Sequence, residues 1–411
     1  MIRRLGVDAV AVERVATAVR RSGEGFLARS FTRDELDYCM GKPERLAGRW
    51  AGKEAVIKCF DRTPICFPRK RVEILATPSG APLVRLLGGH AGGAEVQVSI
   101  THHSGVAVAA ASLEMPEPEE RMLQPPPEVR LPPRPEAGHK GTFGSVVAIA
   151  GSLGLTGAAY LCANAAARAG AGTVRLLVAR GIYQILATKC VEVMATPVEE
   201  DAPGALGPSA LDTVKRHLES ANCCLLGPGL GQARPTWRFV QRLVPVVTRP
   251  MVIDADGLNA LAASRRALGR LGPDCVLTPH PGEMSRLLGV TVPEVQRDRR
   301  GVAAAAARNW GAVVVLKGAH TVVADPDGRV SEDPHEVPAL ATGGTGDVLG
   351  GVIAGLLAQG LTPYQAAVTG VFVHAEAGRR ISQRLGTSGL LASDLLLEIP
   401  FAMKSLRSEG C

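Results

Sequence analysis

Eight prolines fall between Glu114 and Glu136, and they separate two stretches of chain that follow different hydrophobic patterns. Proline fixes φ and removes a backbone donor, so LEMPEPEERMLQPPPEVRLPPRPE is expected to form an extended, semi-stiff tether. The domains are therefore expected at 1–113 and 137–402, joined by a linker at 114–136. Ahead of the linker the pattern is mixed. A short strand is expected over Arg3–Val7 and a helix over Val10–Arg21. A second helix opens at the Thr32-x-x-Glu35 capping box, and a third runs from about Pro43 to Phe60. Strands follow near Arg71–Ala76, Leu83–Leu87, Glu95–Ile100 and Gly105–Ser112, which makes a compact α+β unit.

Behind the linker, strands and helices alternate. SVVAIAG, the Thr173–Ala179 run, CCLLGPG, PMVIDADG, CVLTP and AVVVLKG are near-continuous apolar segments that end in or near Gly, Asp or Pro. Parallel strands buried on both faces have this composition. In such sheets ligands sit at the carboxyl ends of strands, where GPGLG, DADG, TPHPGE and KGAHT all fall.

Of 411 residues, 46% are apolar and 21% charged, enough for large cores and too few charges for broad disorder. The net charge of +7 is uneven: residues 1–113 carry 17 Lys and Arg against 11 Asp and Glu, the remainder 29 against 28. A general nucleic-acid coat is therefore not expected, but the first unit suits an anionic partner. Nine cysteines without metal-ligand spacing fit a reducing compartment. No secretory h-region or uninterrupted apolar run of membrane-spanning length is present, so a cytoplasmic location is expected and no membrane partner.

In the first unit, Asp8 closes a strand, and RLAGRWAGKEAVIK places Arg45 and Arg49 one turn apart, as it does Glu54 and Lys58. Taken alone, Glu54 and Lys58 read as a surface ion pair and Asp8 as a strand-end cap. Together, GVDAVAVERV, FTRDELDYC, RLAGRWAGKEAVIK and VSITHH resemble the holo-acyl-carrier-protein synthase family of phosphopantetheinyl transferases over residues 1–113. The resemblance implies that Asp8 and Glu54 hold Mg²⁺ on the pyrophosphate of coenzyme A, while Lys58 neutralises phosphate charge. Glu54, or a water on the metal, would take the carrier serine's proton. By the same resemblance Arg14, Arg45 and Arg49 meet an acidic acyl carrier protein or the nucleotide, and His102 lies near the coenzyme. His102 read alone is a satisfied strand-end histidine. The family's Gly-Thr-Gly turn is replaced here by CFDRTPICFPRK, and its Gly-Lys-Pro turn by Ser79-Gly80-Ala81-Pro82. Family members of this size are typically trimers, which makes a homo-oligomer the expectation.

In the larger unit, Gly151, Gly154 and Gly157 follow a strand with G-x-x-G-x-x-G spacing, which is not the dinucleotide fingerprint. Gly343, Gly344, Thr345 and Gly346 precede Asp347 and an apolar helix, whose first amides make an anion site. Asp347 there could deprotonate a hydroxyl held against a phosphate. A plain glycine turn with a dipole-favoured aspartate is the alternative reading. Read together, KGTFGSVVAIAGS, LLGPGLG, VIDADGLNAL, LTPHPGEMSRLLG, VVLKGAHTVVADPDG and ATGGTGDVLGGVIAGLL resemble the NAD(P)H-hydrate dehydratase family, whose fold is ribokinase-like, a three-layer α/β fold with a mostly parallel sheet.

That resemblance implies that Ala158, Gly229, His280 and Asp347 contact the hydrated nicotinamide nucleotide, with Asp347 as general base. Lys317, Gly318, Ala319, His320, Thr321 and Gly346 would hold ADP (or ATP), accompanied by Mg²⁺. The implied reaction is phosphorylation of the S epimer's ring hydroxyl followed by loss of phosphate. An HP turn that merely caps a strand is the alternative for His280, while His374 and Glu376 read as packing and surface residues. The family's Thr-Gly-Asn-Pro run is His335-Glu336-Val337-Pro338 here, and its Pro-Glu is Val191-Glu192. No segment reads as the epimerase domain often joined to these dehydratases, so a separate epimerase is expected. The competing reading is a ribokinase-superfamily small-molecule kinase with a non-catalytic docking or oligomerisation module in front. A kinase leaves a stable phosphorylated product; a dehydratase regenerates reduced nicotinamide.

Overall fold

Strands covered on both faces by helices need no polar side, which is why the apolar runs behind the linker assemble into one central sheet. The computed structural model describes residues 2–60, 68–77, 79–87, 95–115 and 122–408. It divides the chain into two units, Met1–Arg121 and Met122–Cys411.

The first unit contains β1 (Ile2–Ala11), β2 (Val72–Ala76), β3 (Pro82–Leu86), β4 (Glu95–His103) and β5 (Val106–Met115). β5 lies between β1 and β4, antiparallel to both, and β2 pairs with β3 as a hairpin. The Pro43–Cys59 helix covers the three-stranded sheet so closely that a Cβ on Gly6 of β1 would sit 2.0 Å from the carbonyl oxygen of Ala55. The expected Arg3–Val7 strand extends to Ala11, because all ten residues of β1 find partners along β5. The following helix consequently starts at Val12 and runs to Ser30, broken at Gly23. Thr32 and Glu35 form the expected capping box. The same Glu35 pairs with Lys53 at 2.6 Å, both side chains fully buried, and accepts from the amide of Ile74 at 2.8 Å. One carboxylate thus ties two helices to β2.

The larger unit contains β6 (Ser145–Ile149), β7 (Thr173–Ala179), β8 (Met194–Val198), β9 (Cys223–Leu226), β10 (Met251–Ile253), β11 (Cys275–Leu277), β12 (Val313–Leu316), β13 (Val322–Ala324) and β14 (Val330–Glu332). Their spatial order is β14-β13-β12-β11-β10-β9-β6-β7-β8, parallel from β12 to β8, with β13 and β14 antiparallel at one edge. The Thr345–Ala358 helix crosses the Thr156–Arg168 helix at glycine distance: a Cβ on Gly351 would lie 2.1 Å from the carbonyl oxygen of Cys162. Small residues here let the anion-binding helix start approach the strand ends.

The proline-rich segment differs from a free tether. β5 reaches Met115, and from Met122 the chain lies on the larger unit. The Thr369 hydroxyl accepts from the Arg130 amide at 2.9 Å and donates to its carbonyl at 3.1 Å, and Arg407 donates to Pro132 O at 3.1 Å. Arg134 stacks 4.1 Å from the Phe143 ring centre. The rest of the expected tether, residues 116–121, lies outside the described residues, as does 61–67 of CFDRTPICFPRK.

Among the described residues the seven cysteines are unpaired and buried, and no helix is long and apolar enough to cross a membrane. Lys53→Met should cost about 3–5 kcal/mol, because Glu35 would be left as a buried charge without its counter-ion. Hydrogen exchange should then show lost protection across β1, β4 and β5, with β6–β12 unchanged.

Candidate active sites in the two units

Three strand ends of the larger unit converge. β10 ends at Ile253 and delivers Asp254, β11 leads into His280, and β12 leads into Lys317. His280 caps the Pro281–Leu288 helix: its Nδ1 accepts from the Gly282 amide at 3.0 Å, and its own amide donates to Glu283 at 2.8 Å. With Nδ1 accepting, Nε2 carries the proton, and it lies 3.5 Å from Glu283 Oε1. Burial, then Lys317 and Arg286, push this imidazole below its usual range and keep it neutral.

Lys317 Nζ lies 2.8 Å from Asp254 Oδ1 and 3.7 Å from Glu283 Oε2. Burial works against the ammonium, but the neighbouring carboxylates outweigh it and raise its pKa. Asp254 Oδ2 is buried without a hydrogen-bond partner. Asp347 opens the Thr345–Ala358 helix, where burial and then the Asp254 charge push its carboxyl up to about 7, against the pull of Lys317. Gly346 faces the ammonium: a Cβ there would be 3.3 Å from Lys317 Nζ. First-turn amides have no partner within a helix, so this corner presents N–H groups beside an ammonium and a carboxyl that titrates near neutrality.

A cleft of about 610 Å³ opens from this corner, lined by His280, Lys317, Gly318, Ala319, Thr321, Gly346 and, on its far wall, Val337, Leu340, Val371 and Ala375. Arg299 supports the KGAHT loop, with one guanidinium nitrogen on Ala319 O and another 3.0 Å from Leu316 O. His320 departs from the rest of that loop. Its φ is +50°, and its ring lies against the carbonyl of Asp333 and near Glu336, outside the cleft lining. Ala158 and Gly229 meet: a Cβ on Gly229 would lie 2.9 Å from Ala158 Cβ. Gly344, two residues before Gly346, is in turn packed on Leu161 of the Thr156–Arg168 helix.

Of the two readings on the Pro363–Leu385 helix, that of His374 as a packing residue agrees with its burial, and that of Glu376 is contradicted. His374 lines the cleft, with Nε2 2.9 Å from Thr345 O, and burial drives its pKa down to about 4. Glu376 is not a surface residue: it is 1% exposed and bound by His335 and Arg379. They lie two residues apart, on different faces of the Pro363–Leu385 helix, which is buried around most of its circumference, so helical periodicity alone could not rank its faces.

In the first unit, Asp8 points to the same side of β1 as Gly6 and Val10, toward the Pro43–Cys59 helix. Lys58 Nζ lies 2.9 Å from Asp8 Oδ1 and 2.8 Å from Val7 O. Glu54 pairs with Arg69, so the anticipated surface pair between Glu54 and Lys58 is not formed. Strand and helix thereby set two carboxylates and two cations on one face. Two carboxylate ligands leave the remaining positions of an octahedral Mg²⁺ to water and phosphate oxygens, so Asp8 and Glu54 fit such an ion. Among the described residues no cluster of three or more His, Cys, Asp or Glu could hold a metal by itself. Arg14 is exposed near Arg21, and His102 is exposed at the end of β4. Arg49 differs from the expected basic face: it is 7% exposed and stacks 4.4 Å from the Tyr38 ring centre, with Arg45 at 5.2 Å.

Asp254, Glu283 and Arg299 were not singled out from sequence. DADG and TPHPGE carry two of them in plain view, but what makes them functional is Lys317, 63 residues beyond Asp254.

Residues 146–401 match the family model described as NAD(P)H-hydrate dehydratase, and residues 4–111 match that of the 4'-phosphopantetheinyl transferase superfamily. The bifunctional NAD(P)H-hydrate repair enzyme Nnr of Moorella thermoacetica is 48% identical over 281 residues, which cover 68% of this chain and 53% of the relative. The chain thus spans about half the length of such bifunctional relatives. The ADP-dependent (S)-NAD(P)H-hydrate dehydratase of Xanthomonas campestris pv. campestris is 36% identical, with 66% of this chain and 92% of the relative covered. A solved structure of the ADP/ATP-dependent NAD(P)H-hydrate dehydratase from Bacillus subtilis, co-crystallised with ATP/Mg²⁺, is similar with 31% identity and a TM-score of 0.57, covering 67% of this chain and 94% of that one. A ribokinase-like superfamily protein from Enterococcus faecalis aligns with a TM-score of 0.58 at 25% identity, covering 67% and 92%. With its ribokinase-like sheet and a match that spans the whole of it, the chain belongs to the NAD(P)H-hydrate dehydratase family.

Proposed function

We propose that the larger unit dehydrates the S epimer of NAD(P)H hydrate at the expense of ADP or ATP. The observation that carries this reading is Asp347, a carboxyl titrating at about 7 beside Lys317 and the open amides of a helix start. A base with a pKa near the working pH combines an ionised fraction with real proton affinity. Asp347 takes the proton of the ring hydroxyl as that oxygen bonds to the terminal phosphorus, and the bond from phosphorus to the departing nucleotide breaks. Lys317 and the Gly346 amide stabilise charge on the moving phosphoryl group. The ring nitrogen's lone pair then expels phosphate, and loss of a ring C–H proton restores the reduced nicotinamide. Neutral His280 donates from Nε2 to the bound substrate, and Ala158 and Gly229 leave room for its ring. The two similar dehydratases have names that state the same dependence on ADP or ATP.

We also propose that the first unit transfers 4'-phosphopantetheine from coenzyme A to a serine of an acidic carrier protein. Mg²⁺ on Asp8 and Glu54 would neutralise the pyrophosphate. Lys58, within reach of Asp8, adds a cation on the same face. The serine oxygen bonds to the β-phosphorus, the bond to adenosine 3',5'-bisphosphate breaks, and Glu54 or a water takes the proton.

Asp347→Asn should lower hydrate repair by roughly 10²- to 10⁴-fold while ADP still binds. Wild-type kcat/KM should fall with acidification below about pH 7, as Asp347 becomes protonated. Recovery of reduced-nicotinamide absorbance reads both, and a stable phosphorylated product would favour a kinase instead. The raised carboxyl pKa also costs stability as pH climbs from the ordinary aspartate range to about 7, because the unfolded chain ionises first. The melting temperature gained by Asp347→Asn should therefore be larger at pH 8 than at pH 5. For the first unit, carrier protein incubated with coenzyme A and Mg²⁺ should gain mass on its serine, and Asp8→Asn or Glu54→Gln should abolish the gain. No gain with the wild-type chain would overturn the transferase reading.

A further inference from the structure

His335 is held by carboxylates on both ring nitrogens: Nδ1 is 3.0 Å from Asp333 Oδ1, and Nε2 is 3.1 Å from Glu376 Oε2. A neutral imidazole has one N–H and one lone pair, so a neutral ring here would turn a lone pair onto one of the two carboxylates. Only the imidazolium donates to both. The ring is 3% exposed, packs edge-on against Phe372 and lies, with Asp333, on the lining of the cleft. Burial opposes the charged form, but the bonds to Asp333 and Glu376 prevail and raise its pKa. The charged groups around it are these two carboxylates, Arg379 behind Glu376 at 2.6 and 2.7 Å, and His320 across the Asp333 carbonyl with Glu336 beyond.

This ring joins the two walls of the cleft. On one side, the Asp333 amide donates to Thr321 O at 3.0 Å and the His320 amide donates to His335 O at 3.2 Å, stitching the segment to the Lys317–Thr321 loop. On the other, Glu376 belongs to the Pro363–Leu385 helix, which contributes Val371, His374 and Ala375 to the cleft lining. We propose that His335 is a positioning residue whose imidazolium clasps the Lys317–Thr321 loop to the Pro363–Leu385 helix and so fixes the width of the cleft that takes a nucleoside diphosphate. This rests on reading the cleft as the nucleotide site. The clasp is complete while the ring is charged. It loses one of its two donors as pH rises through the raised imidazole pKa, and nucleotide affinity falls with it.

Calorimetric titration of the full chain with ADP and Mg²⁺ from pH 6.5 to 9 tests this, with each variant compared to wild type at the same pH so that the ligand's own ionisation cancels. His335→Gln should bind ADP roughly tenfold more weakly at pH 6.5, the size of a typical coupling between linked sites. The gap should close at high pH, where the wild-type clasp has opened. A deficit that does not change with pH marks a purely structural role and overturns the proposal, as does equal affinity throughout. If His335→Gln does not fold, Glu376→Gln keeps the side chain's shape but removes one charge that favours the imidazolium. It should move the wild-type weakening to lower pH, and an unmoved profile overturns the proposal. Wild-type protein that binds no ADP at any pH sinks the nucleotide reading itself, a result distinct from any of these.

Discussion

One ammonium has to serve three carboxylates at the centre of the larger unit. Lys317 touches Asp254 directly, lies within 4 Å of Glu283, and is felt by Asp347. A single positive charge cannot hold three carboxyl groups ionised in a desolvated corner, so the surplus must appear as protonation or as attraction for another cation. Here the Asp347 carboxyl is pushed up to about 7, and that of Glu283 is raised as well. The sheet order makes this possible, because three adjacent strands, β10, β11 and β12, deliver Asp254, the His280–Glu283 turn and Lys317 to one edge. The glycine-lined crossing of the Thr156–Arg168 and Thr345–Ala358 helices brings the fourth participant in.

The two units meet phosphate chemistry in different ways. In the larger one, backbone amides and a shared lysine supply positive potential, and net charge is nearly balanced. In the smaller one the potential comes from side chains on a strand and a helix, with Asp8 and Glu54 already partnered by Lys58 and Arg69. Those ion pairs orient the carboxylates, and they are partly exposed, so exchange of a side-chain cation for a hydrated metal requires no deep rearrangement.

Much of the fold was legible because burial on both faces leaves a direct mark. The Thr173–Ala179 strand is found at its expected ends, and the Thr32–Glu35 box caps the helix it was read to cap. A motif that places a residue by local geometry, Gly346 before an apolar helix, was also readable, whereas the cap that His280 makes on the Pro281–Leu288 helix was not. Pairings across the sheet were not. Nothing local distinguishes Asp254, whose partner follows β12, from Asp256, which turns to the Gly231 amide instead. Likewise Glu376 sits on a helix buried nearly all round, and its meaning comes from His335, 41 residues earlier. Arg45 and Arg49 looked like a basic face because they are one turn apart, but Tyr38 from the preceding helix covers them.

The cysteines have a consequence of their own. Each described thiol is inside a packed unit, Cys39 and Cys59 in the first, Cys162, Cys190, Cys223, Cys224 and Cys275 in the second. Burial pushes these thiols up, so little thiolate is present to react while the chain is folded. These seven thiols therefore carry an unfolding record: an alkylating reagent will mark one of them only after its surroundings have opened. The position of the first mark tells which of the two halves gave way.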